Sequence, residues 1–420
     1  MSLIKKLKTP QNIIVIVAAL GYFVDIYDLI LFSIIRKKSL MGIGIAEADC
    51  LSVGEHLISM QMMGMLIGGV LWGILGDKKG RLSVLFGSIL LYSIANIANG
   101  MVDTVEAYSW WRLIAGIGLA GELGAGITLV SETMSKEKRG WGTMAVVSFG
   151  VLGGVFAGLI GQSFDWRTCY YLGGAMGLVL LLLRIGVFES GMYKATKEKG
   201  ISRGNFFQLF NNRKRFIKYL QCITIGLPIW FLIGILITFS PEFSKATGIS
   251  NISAATAVMV FYAGTSFGDF MSGYLSQVFK TRKKIVFFFL VLTSIGIPLY
   301  LFTNGISPFA FYAICVFLGL AGGYWAIFVT IASEQFGTNL RSTVTTTVPN
   351  FVRGGLVFLL LLFNFFKNNL PDTGIALFNN HNSVIIYSAL FVGIISVAIA
   401  FLSLWGMEET FGKDLDYVEK

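Results

Sequence analysis

The feature that most limits what this chain can become is a succession of apolar runs about 20 residues long, each enough to cross a bilayer as a helix. Between two of them, in Gly64 to Leu85 (GMLIGGVLWGILGDKKGRLSVL), an apolar helix runs into Asp77-Lys78-Lys79-Gly80-Arg81 and then resumes. The same frame returns later. Gly64, Gly68, Gly73 and Leu75 recur as Gly264, Gly268, Gly273 and Leu275, each 200 residues on. Ser131-Glu132 followed by Arg139 is matched by Ser333-Glu334 followed by Arg341, at an offset of 202. Two correspondences at nearly one offset imply two related halves. Parallel repeats of apolar helices are a secondary-transporter design, with the substrate site between the halves near mid-membrane.

Composition closes the soluble alternatives. Hydrophobic residues make up 55% and charged residues 13% of 420 positions, about half the charge of an ordinary globular domain. A net charge of +10 would suit nucleic acid, but the placement of the cations argues for topology and against a nucleic-acid partner. With the N-terminus assigned to the cytoplasm, 24 of the 33 Lys and Arg fall on the inner side and six (Arg36, Lys37, Lys38, Arg167, Lys245 and Lys367) on the outer. Arg112, Arg184 and Arg353 lie within spans. This positive-inside pattern predicts a multi-pass protein of a bacterial inner membrane with both termini cytoplasmic. Four cysteines make no disulfide framework; Cys50 and Cys169, toward the outer face, either pair or remain thiols, and thiols are the expectation. His56 and His381 sit at span ends and suggest neither relay nor metal site. No cleavage-site pattern precedes the first span, so it is expected to be retained.

Twelve spans are predicted. Span 1 (about Asn12 to Ile35) carries Asp25 and Asp28 one turn apart on one face. Span 2 (about Glu55 to Gly76) and span 3 (about Leu82 to Gly100) flank the charged turn. Span 4 (about Ala107 to Thr133) holds Arg112 and Glu122, span 5 (about Trp141 to Gln162) a Gly150, Gly154, Gly158 packing face, and span 6 closes near Glu189 with Arg184 placed to snorkel to the inner face. Span 7 (about Phe216 to Phe239) contains Pro228 and Trp230, and span 8 (about Ile252 to Phe279) Asp269. Span 9 (about Ile285 to Thr303) is purely structural. Span 10 (about Pro308 to Glu334) brings Tyr324 and Trp325 to mid-depth, span 11 (about Ser342 to Phe366) carries Asn350 and Arg353, and span 12 ends near Met407. The division is residues 1–190 as a first six-helix bundle, 191–215 as a cytoplasmic central loop, and 216–420 as a second bundle with a short tail.

Over essentially its whole length the chain resembles the major facilitator superfamily. Gly73-Ile74-Leu75-Gly76-Asp77-Lys78-Lys79-Gly80-Arg81 is similar to that superfamily's signature turn between helices 2 and 3. Arg112-x-x-x-Gly116, Glu132 with Arg139-Gly140, and Glu409-Thr410-Phe411-Gly412-Lys413-Asp414-Leu415 are similar to its sugar-porter and metabolite:proton symporter branches. Asp25-Ile26-Tyr27-Asp28-Leu29 and Ala120-Gly121-Glu122-Leu123-Gly124 resemble the metabolite:proton symporters more. Gln277 departs from the pattern, standing where the first half has Asp77. The resemblance implies an all-α membrane fold of two six-helix pseudo-repeat bundles, with Tyr27-Asp28 as the proton-linked pair and Arg112 as its partner. At 1.5 Å per residue, Asp28 lies about 12 Å below the outer end of span 1 and Arg112 about 8 Å below that of span 4, so the two are expected to meet.

The reading is a monomeric, cofactor-free transporter, not an enzyme, that uses the proton gradient to take up a small polar metabolite such as an organic acid, a zwitterion or another carboxylate-bearing compound. Asp25, Asp28, Arg112, Glu122 and Asp269 are the candidate proton-coupling residues. Tyr27, Arg112, Glu122, Trp230, Tyr324, Trp325, Asn350 and Arg353 are the candidate substrate contacts, because charges at that depth are expensive to keep without use. Arg353, whose repeat counterpart is Val151, is a half-specific addition suited to hold a carboxylate with two hydrogen bonds; the competing reading is a structural ion pair with Asp269 or Glu122. Asp77, Arg81, Glu132, Arg139, Glu334 and Arg341 are the candidate inner gate. A proton-antiport exporter, a sugar-type facilitator and a non-transporting receptor are the alternatives.

Overall fold

The computed structural model describes residues 10–79, 81–133, 139–189 and 206–413, and every regular element among them is helical. Twelve spans appear in the expected order. Span 1 is Pro10–Gly42, span 2 Cys50–Lys79, span 3 Arg81–Asn99, span 6 Trp166–Glu189, span 8 Ala254–Val278, span 9 Lys283–Leu301 and span 12 His381–Gly406. Span 4 is two helices, Val105–Leu119 and Glu122–Thr133; span 5 is Arg139–Gly150 and Leu152–Ser163; span 10 is Pro308–Gly322 and Trp325–Glu334; span 11 is Thr338–Gly354 and Leu356–Asn369. Span 7 is the most interrupted: Arg213–Thr224, then Leu227–Phe231, then a π-helical turn over Leu232–Ile237. Pro228, at the start of its middle piece, has no N–H to continue the ladder. Nine of the described helical stretches are long and apolar enough to cross a membrane by length and composition alone, and Ser83–Asn99 is a shorter apolar helix.

Two expectations about span ends are corrected. Span 1 does not stop at Ile35 but runs to Gly42, so Arg36, Lys37 and Lys38 occupy its last turns instead of an outer loop. The helix can continue because its cations are satisfied: Arg36 donates to the Cys50 carbonyl at 2.8 Å and to Glu242 at 2.6 Å, and Lys38 to the Gly161 carbonyl at 2.8 Å. The second bundle begins at Arg213, where the Asn212 side chain caps the helix; the central loop read as 191–215 falls outside the described residues up to 205. Cys50 and Cys169 are both buried free thiols.

The repeat seen in the sequence is a repeat of packing. Gly64 and Gly116 bring spans 2 and 4 so close that a Cβ on either would strike the carbonyl oxygen of Leu113 or Gln61. In the second half Gly264 and Gly319 do the same against the carbonyls of Val316 and Phe261, joining spans 8 and 10. Small residues at both faces are what such close approach demands. The ends match too: Thr104 accepts from the Ala107 N–H at 3.2 Å and Ser307 from the Ala310 N–H at 3.3 Å, capping spans 4 and 10 at equivalent positions. Each of these spans then breaks a turn or so past its closest approach, at Ala120-Gly121 and at Gly323-Tyr324.

The two halves meet along spans 2 and 11 and along spans 5 and 8. Asn350 donates to the Ala120 carbonyl at 2.7 Å, Ser266 to the Ser148 carbonyl at 2.8 Å, and Gly154 leaves room for the ring of Tyr262. On the face away from the basic turns, Arg36–Glu242 at 2.6 Å and Lys367–Glu55 at 3.0 Å cross from one half to the other. Because Gly116 and Gly319 hold equivalent contacts, Gly116→Ala and Gly319→Ala are each expected to lower thermal stability in detergent by about 1–3 kcal/mol, the usual cost of overpacking. A normal melting temperature for either variant would contradict the repeat-packing account.

Candidate functional site

At mid-depth the halves are joined by a charge pair. Arg353, one residue before the Thr338–Gly354 helix ends, places Nη2 3.2 Å from Oδ2 of Asp25 in span 1, and both side chains are 0% exposed. The guanidinium carbon lies 5.8 Å from the ring centre of Trp325 and 6.0 Å from that of Trp230. The two indoles stand edge to face with centroids 6.5 Å apart, and Phe328 backs Trp325 at 4.9 Å. Tyr22 and Tyr262 lie beside the pair. Burying ions is tolerable only when hydrogen bonds and a counter-ion replace water, and here the replacement is incomplete. Nε and Nη1 of Arg353, Oδ1 of Asp25 and Nε1 of Trp325 find no hydrogen-bond partner among the described residues. The arrangement offers a cation, two aromatic walls and unused donors in one buried place.

The other intramembrane charges are committed elsewhere, which corrects several expectations. Arg353 pairs with neither Asp269 nor Glu122. Asp269 accepts from the Ala326 N–H at 3.0 Å, at the start of the Trp325–Glu334 helix, where a carboxylate satisfies an orphan donor and suits the positive end of the helix dipole. Glu122 heads the Glu122–Thr133 helix and is held by Arg184 from span 6 through both guanidinium nitrogens, one bond being 3.0 Å. Arg184 therefore turns inward and is buried, instead of snorkelling to the inner face. Arg112 does not pair with Asp28. It hydrogen-bonds Gln61 and lies 4.5 Å over the ring of Phe32, while both carboxyl oxygens of Asp28 lack a partner among the described residues. Tyr27 donates to the Cys169 carbonyl at 2.9 Å and Tyr324 to the Ile225 carbonyl at 2.9 Å. Asn350, expected as a substrate contact, donates its amide to the carbonyls of Ala120 and Thr346. Of the expected substrate contacts, the structure gathers Arg353, Trp230 and Trp325. Tyr22, Tyr262 and Gln61 were missed. Gln61, an amide inside an apolar span, carried a signal, but two tyrosines among 15 carried none.

On the basic face, Glu334 accepts from Arg282 at 3.2 Å and from Thr410 at 2.7 Å, and Arg282 reaches Ser276 at 2.8 Å. The side chains of Asp77, Arg81, Glu132, Arg139 and Arg341 lie outside the described residues. Where the second half has Gln277 in place of the acid, Glu409 from the tail supplies one. It accepts from Thr281 Oγ1 at 2.6 Å and from the N–H groups of Arg282, Lys283 and Phe411. Burial pushes the Glu409 carboxyl up, but these bonds outweigh it and hold it below the usual carboxylate range.

Two six-helix bundles related by repetition and meeting over buried charges define a membrane transporter. The chain belongs to the Major Facilitator Superfamily, whose family model matches residues 13–359. It is 26% identical over 401 residues to the "Putative niacin/nicotinamide transporter NiaP" of Bacillus subtilis (strain 168), covering 93% of this chain and 95% of the relative. It is 23% identical over 366 residues to the "Sialic acid transporter NanX" of Escherichia coli (strain K12), covering 84% and 86%. Among solved structures, a D-xylose-proton symporter aligns at a TM-score of 0.68 with 16% identity, covering 96% of this chain and 99% of that one. That likeness shows the fold.

Glu409→Gln is expected to cost about 1 kcal/mol, as loss of a charged cap does. A carboxylate held low in the folded state stabilises fully above its unfolded value, about 4, and that contribution disappears as pH falls through the folded value. The stability difference between wild type and Glu409→Gln, measured by thermal unfolding, should be present at neutral pH and vanish in acid. A difference that persists in acid would contradict the assignment.

Proposed function

We propose that the chain is a proton-coupled symporter that takes up a small carboxylate-bearing metabolite across a bacterial inner membrane by alternating access, as a monomer with cytoplasmic termini and no cofactor. The single observation that carries this is the buried Asp25–Arg353 pair between the halves, with unused guanidinium and indole donors beside two tryptophans. A guanidinium with donor capacity beyond its bond to Asp25, and the Tyr22 hydroxyl beside it, fits a carboxylate in a low-dielectric site, and aromatic walls favour flat organic acids over polyols. The names of the two relatives fit it in part: niacin and sialic acid carry a carboxyl group, while nicotinamide, also in the first name, does not. Acids buried on span 1, Asp25 and Asp28, are suited to take the proton, because protonation removes the cost of an uncompensated charge. The opening and closing of the halves then exposes the site to each side in turn.

Purified protein in proteoliposomes should accumulate labelled nicotinate or sialic acid when the lumen is alkaline, and should not accumulate nicotinamide or D-xylose. Nicotinamide is the critical control, since it keeps the ring and loses the charge. Arg353→Lys should remain folded and lose about tenfold or more in affinity for the accumulated acid, equivalent to about 1.4 kcal/mol, because an ammonium cannot form the two parallel bonds. Equal uptake of nicotinate and nicotinamide, or export against the same gradient, would overturn the proposal.

A further inference from the structure

Resting on the transport reading above, we propose that the proton reaches Asp28 from the outer face through the interior of the first bundle, passed along the hydroxyls of Ser39, Tyr108 and Tyr170, and not through the crevice between the halves. That crevice is shut in this structure. Arg36–Glu242 and Lys367–Glu55 bridge it at 2.6 and 3.0 Å, and Thr238 at the end of span 7 donates to Ser33 of span 1 at 3.0 Å. The Asp28 carboxyl turns instead into the first bundle, where a Cβ on Gly173 of span 6 would strike its Oδ1.

A line of hydroxyls leads to that place from the outer end of span 1. Ser39 is buried one turn before Gly42, where the span ends among exposed residues. Ser39 donates to the Arg36 carbonyl at 3.0 Å, Tyr108 of span 4 donates to Ser39 Oγ at 3.2 Å, and the hydroxyl oxygens of Tyr108 and Tyr170 are 2.7 Å apart. Both tyrosines are fully buried, with their rings edge to face at 6.0 Å and Trp166 stacked on Tyr108 at 6.4 Å. Tyr170 and Gly173 lie on one face of span 6, about 4.5 Å apart in rise, so the inner end of the line stops one turn outside the Asp28 carboxyl. The interval is polar. Asn96 and Arg112 stand beside Asp28, and Arg112 also stands beside Tyr170. Both polar atoms of the Asn96 amide, and Nε and Nη1 of Arg112, have no hydrogen-bond partner among the described residues. Buried groups of that kind are what a bridging water requires.

The transfer balances proton for proton. A hydroxyl has one donor and two lone pairs, so each can accept from one neighbour while donating to the next. With the line pointing inward, a proton arriving from outside on Ser39 Oγ releases the Ser39 proton to Tyr108. Tyr108 passes its own to Tyr170, and Tyr170 passes its own to the Asp28 carboxylate through the bridging water. Each hydroxyl oxygen breaks one O–H bond and forms one, and only Asp28 gains a proton. The line is left pointing outward, the sense in which Tyr108 donates to Ser39, and rotation of the hydroxyls resets it. Arg112 keeps its proton throughout. The other titratable groups around Asp28 are Asp25 one turn back on span 1, Tyr92 of span 3, and Tyr27, whose hydroxyl is committed to the Cys169 carbonyl at 2.9 Å. The Cys169 thiol of span 6 faces the Ile160 carbonyl at 3.7 Å, and span 5 meets span 1 through Gly153 against the Phe23 carbonyl. Asp28 is thereby loaded from outside while the crevice stays closed.

Proteoliposomes with an alkaline lumen test this, with labelled nicotinate as the probe, or labelled sialic acid if that is the acid accumulated. Tyr108→Phe and Tyr170→Phe keep both rings and remove one hydroxyl each. Each is expected to slow initial uptake driven by the pH gradient by at least about tenfold, as loss of a positioned proton-transfer group does. Each should still reach the wild-type steady level, because a relay sets the rate of protonation and not its equilibrium. The two changes combined are expected to be no slower than the slower single variant, since a line broken once is already broken. Wild-type initial rates in either folded variant, a lower steady level, or slowing in the double variant equal to the product of the singles would overturn the relay. So would an equal slowing of the exchange of labelled for unlabelled acid at the same pH on both sides, where no net proton moves, because the tyrosines would then be packing groups. Should a tyrosine variant fail to fold, Ser39→Ala breaks the line at its outer end and must slow gradient-driven uptake in the same way; a wild-type rate there counts against the proposal equally. Absence of accumulation of either acid by folded wild-type protein overturns the transport reading itself, a different failure from variants that match wild type.

Discussion

The structure depends on one constraint: charges enclosed at membrane depth must be balanced there, because neither lipid nor packed apolar side chains can solvate them. The chain meets it for five of its intramembrane charges by three separate devices, while Arg112 has Gln61 and the Phe32 ring and Asp28 has no hydrogen-bond partner among the described residues. Glu122 and Arg184 form a two-bond pair within the first half. Asp269 is answered by the N–H of Ala326 within the second. Asp25 and Arg353 answer each other across the boundary between halves. The first two are each internal to one bundle. The third is shared, loosely hydrogen-bonded and flanked by aromatic rings, so it is where a change in charge would be felt by both halves at once.

The scaffold that presents these charges is built by repetition. Glycines let spans 2 and 4, and spans 8 and 10, approach until backbone touches backbone, and just beyond each contact the helix breaks at Ala120-Gly121 or Gly323-Tyr324. A break in a buried helix exposes N–H groups that need acceptors. In the second half Asp269 of span 8 is that acceptor; its repeat counterpart in the first half is Gly69, and Glu122 sits instead on the broken helix itself, where the second half has Tyr324. The two halves thus treat the break differently: in the second a carboxylate from span 8 accepts from the helix after it, and in the first the helix after it begins with a glutamate held by Arg184.

Much of this was legible in the sequence. The twelve spans, their order and the two-fold repeat could be read because apolar runs and glycine spacing are local properties that survive translation into packing. The identity of the buried charges was equally plain, since an Asp, Glu or Arg inside an apolar run has few places to hide. Their partners were not. Arg353 was expected with Asp269, Glu122 or substrate, Asp28 with Arg112, and Arg184 with the inner surface, because pairing depends on how each helix is rotated and how deep it sits, and a shift of one residue turns a side chain by 100° about its helix. The breaks in spans 4, 5, 10 and 11 were invisible for a similar reason: glycine pairs serve close packing as often as they end a helix. Glu409 escaped as a substitute for the acid missing at Gln277, since it comes from more than 120 residues away.

The account stands or falls on whether a buried acid of span 1 takes a proton when a carboxylate binds beside Arg353. Difference infrared spectroscopy of the purified protein at neutral pH, before and after adding nicotinate or sialic acid, reads this directly through the carbonyl stretch of a protonated carboxyl. The expected result is one new protonated-carboxyl band in wild type that is absent when Asp25→Asn and Asp28→Asn are combined. No new band on binding, or a band that survives in the double variant, would contradict it.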